Sequence, residues 1–209
     1  MPKRDQLLSD LSREQDYGVL LLAQMGGAPN ELQLIVQTAE YDLAAQGLRE
    51  RQRYMIRALG VREHKVSLGV FGTLQFSDDH PLLYPHNSPR VGVFFRGKVS
   101  SPTDLALDVS QAHASTFGPW RHVANDLNLT MPLVDLMASG GGLLGEMPKP
   151  LAERMARVLA HHGIEHKLIE ESEFETTDEH GRSRLAHLLL IDEAYIVALD
   201  FSVELLGKV

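Results

Sequence analysis

The sequence predicts an α+β fold with a mainly antiparallel β-sheet and helices packed on one face, a sandwich being one form it can take. Three observations carry this. Runs with a period of two gather toward both ends of the chain, the middle has helical spacing, and strand and helix do not alternate as a parallel α/β fold requires. No fixed-period repeat is present. The 209 residues read as a single α+β domain, with 119–130 as the place where it would subdivide.

Leu7, Leu8 and Leu11 give a short N-terminal helical pattern. Tyr17 to Gln24 and Glu31 to Tyr41 then read as strands, joined across the turn formers Met25-Gly26-Gly27-Ala28-Pro29-Asn30 into a hairpin. Leu48 to Gly60 fits two templates: Leu48, Met55, Ile56 and Leu59 as a helical stripe, or Tyr54, Ile56 and Ala58 as strand alternation. The strand reading would make a continuous antiparallel meander. His64 to Phe76 reads as one strand through Val66, Leu68 and Val70, and Arg90 to Val99 as its partner, rich in β-branched and aromatic residues. Ser77 to Pro89 between them holds Pro81, Pro85 and Pro89, which remove ladder donors and force an irregular connection.

The best-marked helix follows. Ser101 is placed to cap it, Pro102 suits the first helical position, and Asp104 meets the positive helix end. Leu105, Val109, Ala112, His113 and Phe117 form its buried stripe, and Gly118-Pro119 closes it. Trp120 to Asn128 reads as irregular, Thr130 to Ala138 as a short helix, and Ser139-Gly140-Gly141-Gly142 as the hinge or loop after it. Pro148 to His162 reads as a second amphipathic helix with Leu151, Met155, Val158, Leu159 and His162 on one side, stopped by Gly163. The last third returns to strands: His166 to Thr176, Leu185 to Ile191 and Tyr195 to Glu204, the final two joined by a tight hairpin across Asp192-Glu193-Ala194.

A 44% hydrophobic, 23% charged composition is that of a folded globular chain. The absence of cysteine removes disulfides, thiolate metal sites and a cysteine nucleophile, and fits a reducing compartment. With neither a signal-peptide pattern nor an apolar run of about 20 residues, the expectation is a cytoplasmic protein with no membrane partner. A net charge of −8 opposes general nucleic-acid binding, which depends on neutralising phosphates. The basic cluster Arg49, Arg51, Arg53, Arg57 and Arg62 reads as a solvated face. Glu170, Glu171, Glu173, Glu175, Asp178 and Glu179 form an acidic stretch able to face a basic partner.

No catalytic motif emerges. The glycine run lacks dinucleotide, phosphate-loop and nucleophile-elbow spacing, so no catalytic residue and no cofactor is assigned. Asp108, Asp126, Asp135, Glu146 and Asp200 are carboxylates that spacing cannot pair. Ten histidines motivate an alternative, a metal-dependent enzyme using Asp78, Asp79, His80 and His86 from the long loop with His113 and the nearby His122. On the helical stripe, His113 otherwise reads as a core residue bonded to backbone. A third reading is a small-molecule sensor built from Trp120 and the Ser139–Gly142 loop.

The strand from His64, the strand ending Val93-Phe94-Phe95-Arg96-Gly97 and the Ser101-Pro102-Thr103-Asp104-Leu105 helix start resemble the pattern of type III secretion chaperones and the YbjN-like proteins that share their α+β fold. The resemblance covers about half the chain; the proline-rich loop and the helical region from Thr130 to His162 depart from it. It implies a non-enzymatic, usually dimeric protein that holds other proteins. The expectation is therefore a protein-interaction or chaperone-like module, a homodimer, binding a protein partner through its sheet or an apolar groove.

Overall fold

The computed structural model describes residues 3–14, 16–170, 174, 176–177 and 180–208. The fold is α+β, and each sheet is antiparallel. The backbone forms two compact units: residues 1–83 with 185–209, and residues 84–184. The 119–130 connection lies wholly within the second unit, and the division falls instead after Leu83 and before Leu185.

The first unit is a sandwich. Its five-stranded sheet has the order β12-β3-β2-β1-β5, from β1 (Asp16–Met25), β2 (Leu32–Asp42), β3 (Gly47–Leu59), β5 (Gly69–Phe71) and β12 (Asp200–Lys208). Residues 48–60 therefore adopt the strand alternative, and β1, β2 and β3 form the meander. The second sheet has the order β4-β11-β10-β6, from β4 (Glu63–Lys65), β6 (Leu74–Ser77), β10 (His187–Ile191) and β11 (Ala194–Ala198). Leu20, Leu34, Val36, Tyr54, Ile56 and Phe71 from one sheet meet Leu74, Leu189, Ile191 and Ile196 from the other, and Leu7 of α1 (Lys3–Ser9) joins the same core. Gly18 is open beneath the Phe71 ring: a Cβ there would lie 2.0 Å from Cζ.

Two strand expectations are corrected here. His64 to Phe76 is not one strand but three short ones, because the chain crosses from β4 in the second sheet to β5 in the first and back to β6. Its alternating Leu68 and Val70 are exposed, while Phe71 and Leu74 enter the core. Tyr195 to Glu204 likewise splits at Leu199 into β11 and β12, which belong to different sheets. The β10–β11 hairpin forms as expected. Ile191 pairs with Ala194, Asp192 takes a left-handed φ of 47°, and its carboxylate accepts from the Gly72 and Thr73 N–H groups at 3.0 and 2.8 Å.

The second unit is a three-stranded sheet with two long helices on one face. Its order is β8-β7-β9, from β7 (Arg90–Arg96), β8 (Gly141–Pro148) and β9 (Glu165–Glu170). β7 thus pairs with β8 and β9, not with a strand from His64. Of the run expected from His166 to Thr176, the part after Glu170 falls partly outside the described residues, as do Glu171, Glu173, Glu175, Asp178 and Glu179 of the acidic stretch. Helix α3 (Pro102–Phe117) begins as its sequence dictates, with Ser101 accepting from the Asp104 N–H, and ends on Gly118 at φ 56°. Leu105, Val109, Ala112 and Phe117 pack with Leu151, Met155 and Leu159 of α5 (Lys149–His161) over Val91, Val93 and Phe95 of β7. The loop expected from Ser77 to Pro89 contains a 3-10 turn at Pro81–Leu83 and the single-turn helix α2 (Tyr84–Asn87).

The run expected as a hinge or loop between two helices is a turn only at Ser139 and Gly140, and a strand, not a helix, follows. Helix α4 (Leu133–Ala138) starts after Pro132, Ser139 Oγ donates to the Leu136 carbonyl, and Gly141 already opens β8. Among the described residues no helix is long and apolar enough to cross a membrane.

Candidate functional site

The outward side chains of the five-stranded sheet form a candidate surface in the first unit. Tyr54, Ile56 and Ala58 of β3 point into the core, so Arg53, Met55 and Arg57 point away from it. Cross-strand register builds three rows on that face. Leu22, Ile35, Met55 and Glu204 make one; Gln24, Gln33, Arg57 and Ser202 the second; and Val70, Val19, Gln37 and Arg53 the third. The result is an aliphatic band bordered by amides and guanidinium groups, with Val70 59% and Leu22 39% exposed, Val19, Ile35 and Met55 half-buried and Gln37 buried.

Arginine stems cover this face while their charged ends find partners on it. On this face Arg53 Nη2 donates to Gln37 Oε1 at 2.9 Å and Arg57 Nη2 lies 3.6 Å from Glu204, whereas Arg51 Nη1 lies 3.1 Å from Asp16, which shares the core-side set of β1 with Gly18 and Leu20. The Nε atoms of Arg53 and Arg57 are shielded and have no hydrogen-bond partner among the described residues. The arginine cluster expected as a solvated face thus lies half-buried along β3 at Arg51, Arg53 and Arg57.

The residues of the metal alternative have separate engagements. In the first unit, Asp78 Oδ1 lies 2.7 Å from His187 Nδ1, Asp79 accepts from Ser77 Oγ at 2.9 Å, and His80 Nδ1 accepts from the Leu82 N–H at 3.2 Å. Burial holds His80 below the usual histidine range, outweighing the opposite pull of Asp79. In the second unit, His86 sits on α2, His122 is exposed, and His113 is buried on α3. Among the described residues no three His, Asp or Glu side chains gather in a way that could hold a metal ion.

Among the described residues His113 bonds to a side chain and not, as expected, to backbone. Its Nε2 lies 3.1 Å from Asp126 Oδ2, and Arg121 grips the same carboxylate with Nε at 2.7 Å and Nη2 at 3.0 Å. The Phe117 ring stands 5.1 Å from the imidazole and 5.6 Å from the guanidinium. Burial alone would raise the Asp126 pKa, but the bonds from His113 and Arg121 outweigh it and hold the carboxyl below its ordinary value. All three groups are consumed by one another, and the cluster ties the 118–128 connection to α3. Spacing offered no signal for it, since Arg121 and Asp126 lie in an irregular segment. Of the other carboxylates, Asp108 engages His162 at 2.7 Å, Asp200 accepts from the Phe201 N–H, Asp135 sits in the first turn of α4, and Glu146 is exposed on β8.

The chain matches no family model, no curated protein and no solved structure.

Proposed function

We propose that the protein is a non-enzymatic protein-interaction module whose first unit docks an acidic amphipathic segment of another protein on the outer face of its five-stranded sheet. The observation that carries this reading is the band of Leu22, Ile35, Met55, Val19 and Val70 flanked by Arg53 and Arg57 on a chain whose net charge is −8. Apolar surface supplies attraction without direction, and guanidinium groups choose a partner with carboxylates beside its own apolar strip. At about 4.8 Å between strands and about 3.3 Å per residue, four long strands offer about 600 Å². That is near the lower end of what each partner contributes to a specific interface, as suits a reversible contact. The cysteine-free composition supports a reducing, cytoplasmic setting.

The test is fluorescence anisotropy with two labelled helical peptides, one of leucine and glutamate and the other of leucine and lysine, and the full chain. The acidic peptide is expected to bind saturably and to weaken at least about ten-fold in the Arg53→Gln/Arg57→Gln protein, which removes about 1.4 kcal/mol or more. Equal binding of both peptides, or of neither, sinks the reading. Light scattering that gives a dimer lost on Ile35→Glu would assign the face to a second copy of the chain instead.

A further inference from the structure

The second unit holds a groove of about 480 Å³ between α3 and α5, lined by Asp108, Gln111 and Ser115 on one side and Arg154, Arg157 and His161 on the other. The two helices run antiparallel: Asp108 meets His162 at 2.7 Å near one end, and Thr116 accepts from Arg154 Nη1 at 2.8 Å near the other. The residues from α5 stand at helical spacings of three and four, so both guanidinium groups and the imidazole share one face. Among the described residues Asp108 is the one carboxylate lining the groove, and His162 already occupies it. Neither arginine has a carboxylate partner among the described residues. Arg154 is anchored to a hydroxyl, and Arg157 Nε reaches only the Glu153 carbonyl at 3.4 Å.

Two fixed positive charges therefore face a cleft whose one acid is engaged, on a chain that is acidic overall. The partial negative charge at each helix end is about half a unit and does not cancel them. Arg154 and Arg157 stand one turn apart on the same face of α5, so a ligand with two or more oxyanions can engage both guanidinium groups where a single anion engages one. The groove is wide open to solvent, so the two guanidinium groups and not enclosure supply the affinity.

We propose that the α3–α5 groove binds a small ligand carrying two or more oxyanionic groups, phosphate or carboxylate, held by Arg154 and Arg157. Calorimetric titration of the full chain with pyrophosphate and with citrate tests it, with inorganic phosphate and acetate as single-anion comparisons; the tighter of the first two identifies the oxyanion. One-to-one binding is expected, at least about ten-fold tighter than for the matching single anion, and weakened at least about five-fold by Arg157→Gln. If Arg154→Gln disturbs folding through its bond to Thr116, Ser115→Glu replaces it: that side chain is exposed, and a carboxylate there should abolish binding. Saturable binding that persists unchanged in Arg157→Gln and Ser115→Glu overturns the proposal. So does the absence of saturation at about 10 mM ligand, or loss of binding in Arg53→Gln/Arg57→Gln alone.

Discussion

Asp126 Oδ2 lies 3.1 Å from His113 Nε2 with both side chains buried in the second unit, and the bidentate Arg121 bonds that same oxygen as well as Oδ1. Removing one member of such a group leaves the others uncompensated, which costs more than their mutual attraction contributes. Asp126→Asn should destabilise the second unit by about 3–5 kcal/mol. Urea unfolding followed by Trp120 fluorescence measures this, since the chain's one tryptophan lies in that unit.

The same carboxyl sets an acid limit. Its folded pKa is depressed below 3.8, so its contribution is fully present above the unfolded value and lost as pH falls through the folded one. Wild type should lose stability below about pH 4 with a steeper dependence than Asp126→Asn, as urea midpoints across the acid range would record. Parallel slopes for the two proteins would contradict this.

Tyr54 is fully buried, and its hydroxyl donates to Asp10 Oδ2 at 2.6 Å. Tyr54→Phe should cost about 1.5–3 kcal/mol, the range for a bond to a charged acceptor, and speed amide exchange in α1. Burial first, and then Asp10, raise the phenol pKa above 10.0, so this contribution is present below that value and fades as pH rises beyond it.

Neighbours on β3 should behave oppositely. Ile56→Ala removes core side chain and should cost about 2–5 kcal/mol, whereas Met55→Ala on the outward face should cost under about 1 kcal/mol. Thermal unfolding by circular dichroism separates them, and equal losses would show the register to be shifted by one residue.

Gly145 carries a steric prediction. A Cβ there would lie 2.0 Å from the Asp126 carbonyl oxygen and 2.8 Å from Leu127 Cα, both backbone atoms. Gly145→Ala should destabilise by about 1–3 kcal/mol or more, while Gly27→Ala, with open space around its Cβ, should stay within about 0.5 kcal/mol. Chemical denaturation of both variants checks the contrast.

These residues also mark what the sequence could and could not reveal. Helix α3 was legible because Ser101, Pro102, Asp104 and Gly118 each act locally, and the β1–β2 hairpin because alternation and turn residues agree. β8 was not, since its glycines read as a break while the fold needs Gly145 bare against the Asp126 backbone. The division of residues 63–77 was hidden for another reason: which of two sheets a short strand joins depends on partners more than a hundred residues away, such as β10 and β11. The Arg121–Asp126–His113 cluster depends on an irregular backbone, where no periodicity exists to be read.

The interruption of the sandwich by a complete second unit has a consequence for synthesis. β6 and β3 wait for partners, β10 and β12, that lie beyond residue 184. At about 5–20 residues per second, the roughly 110–150 residues between each edge and its partner would leave those edges uncovered for about 6–30 s. During that interval β3 is paired with β2 on one side only, and its other edge is open to the wrong strand until β12 emerges.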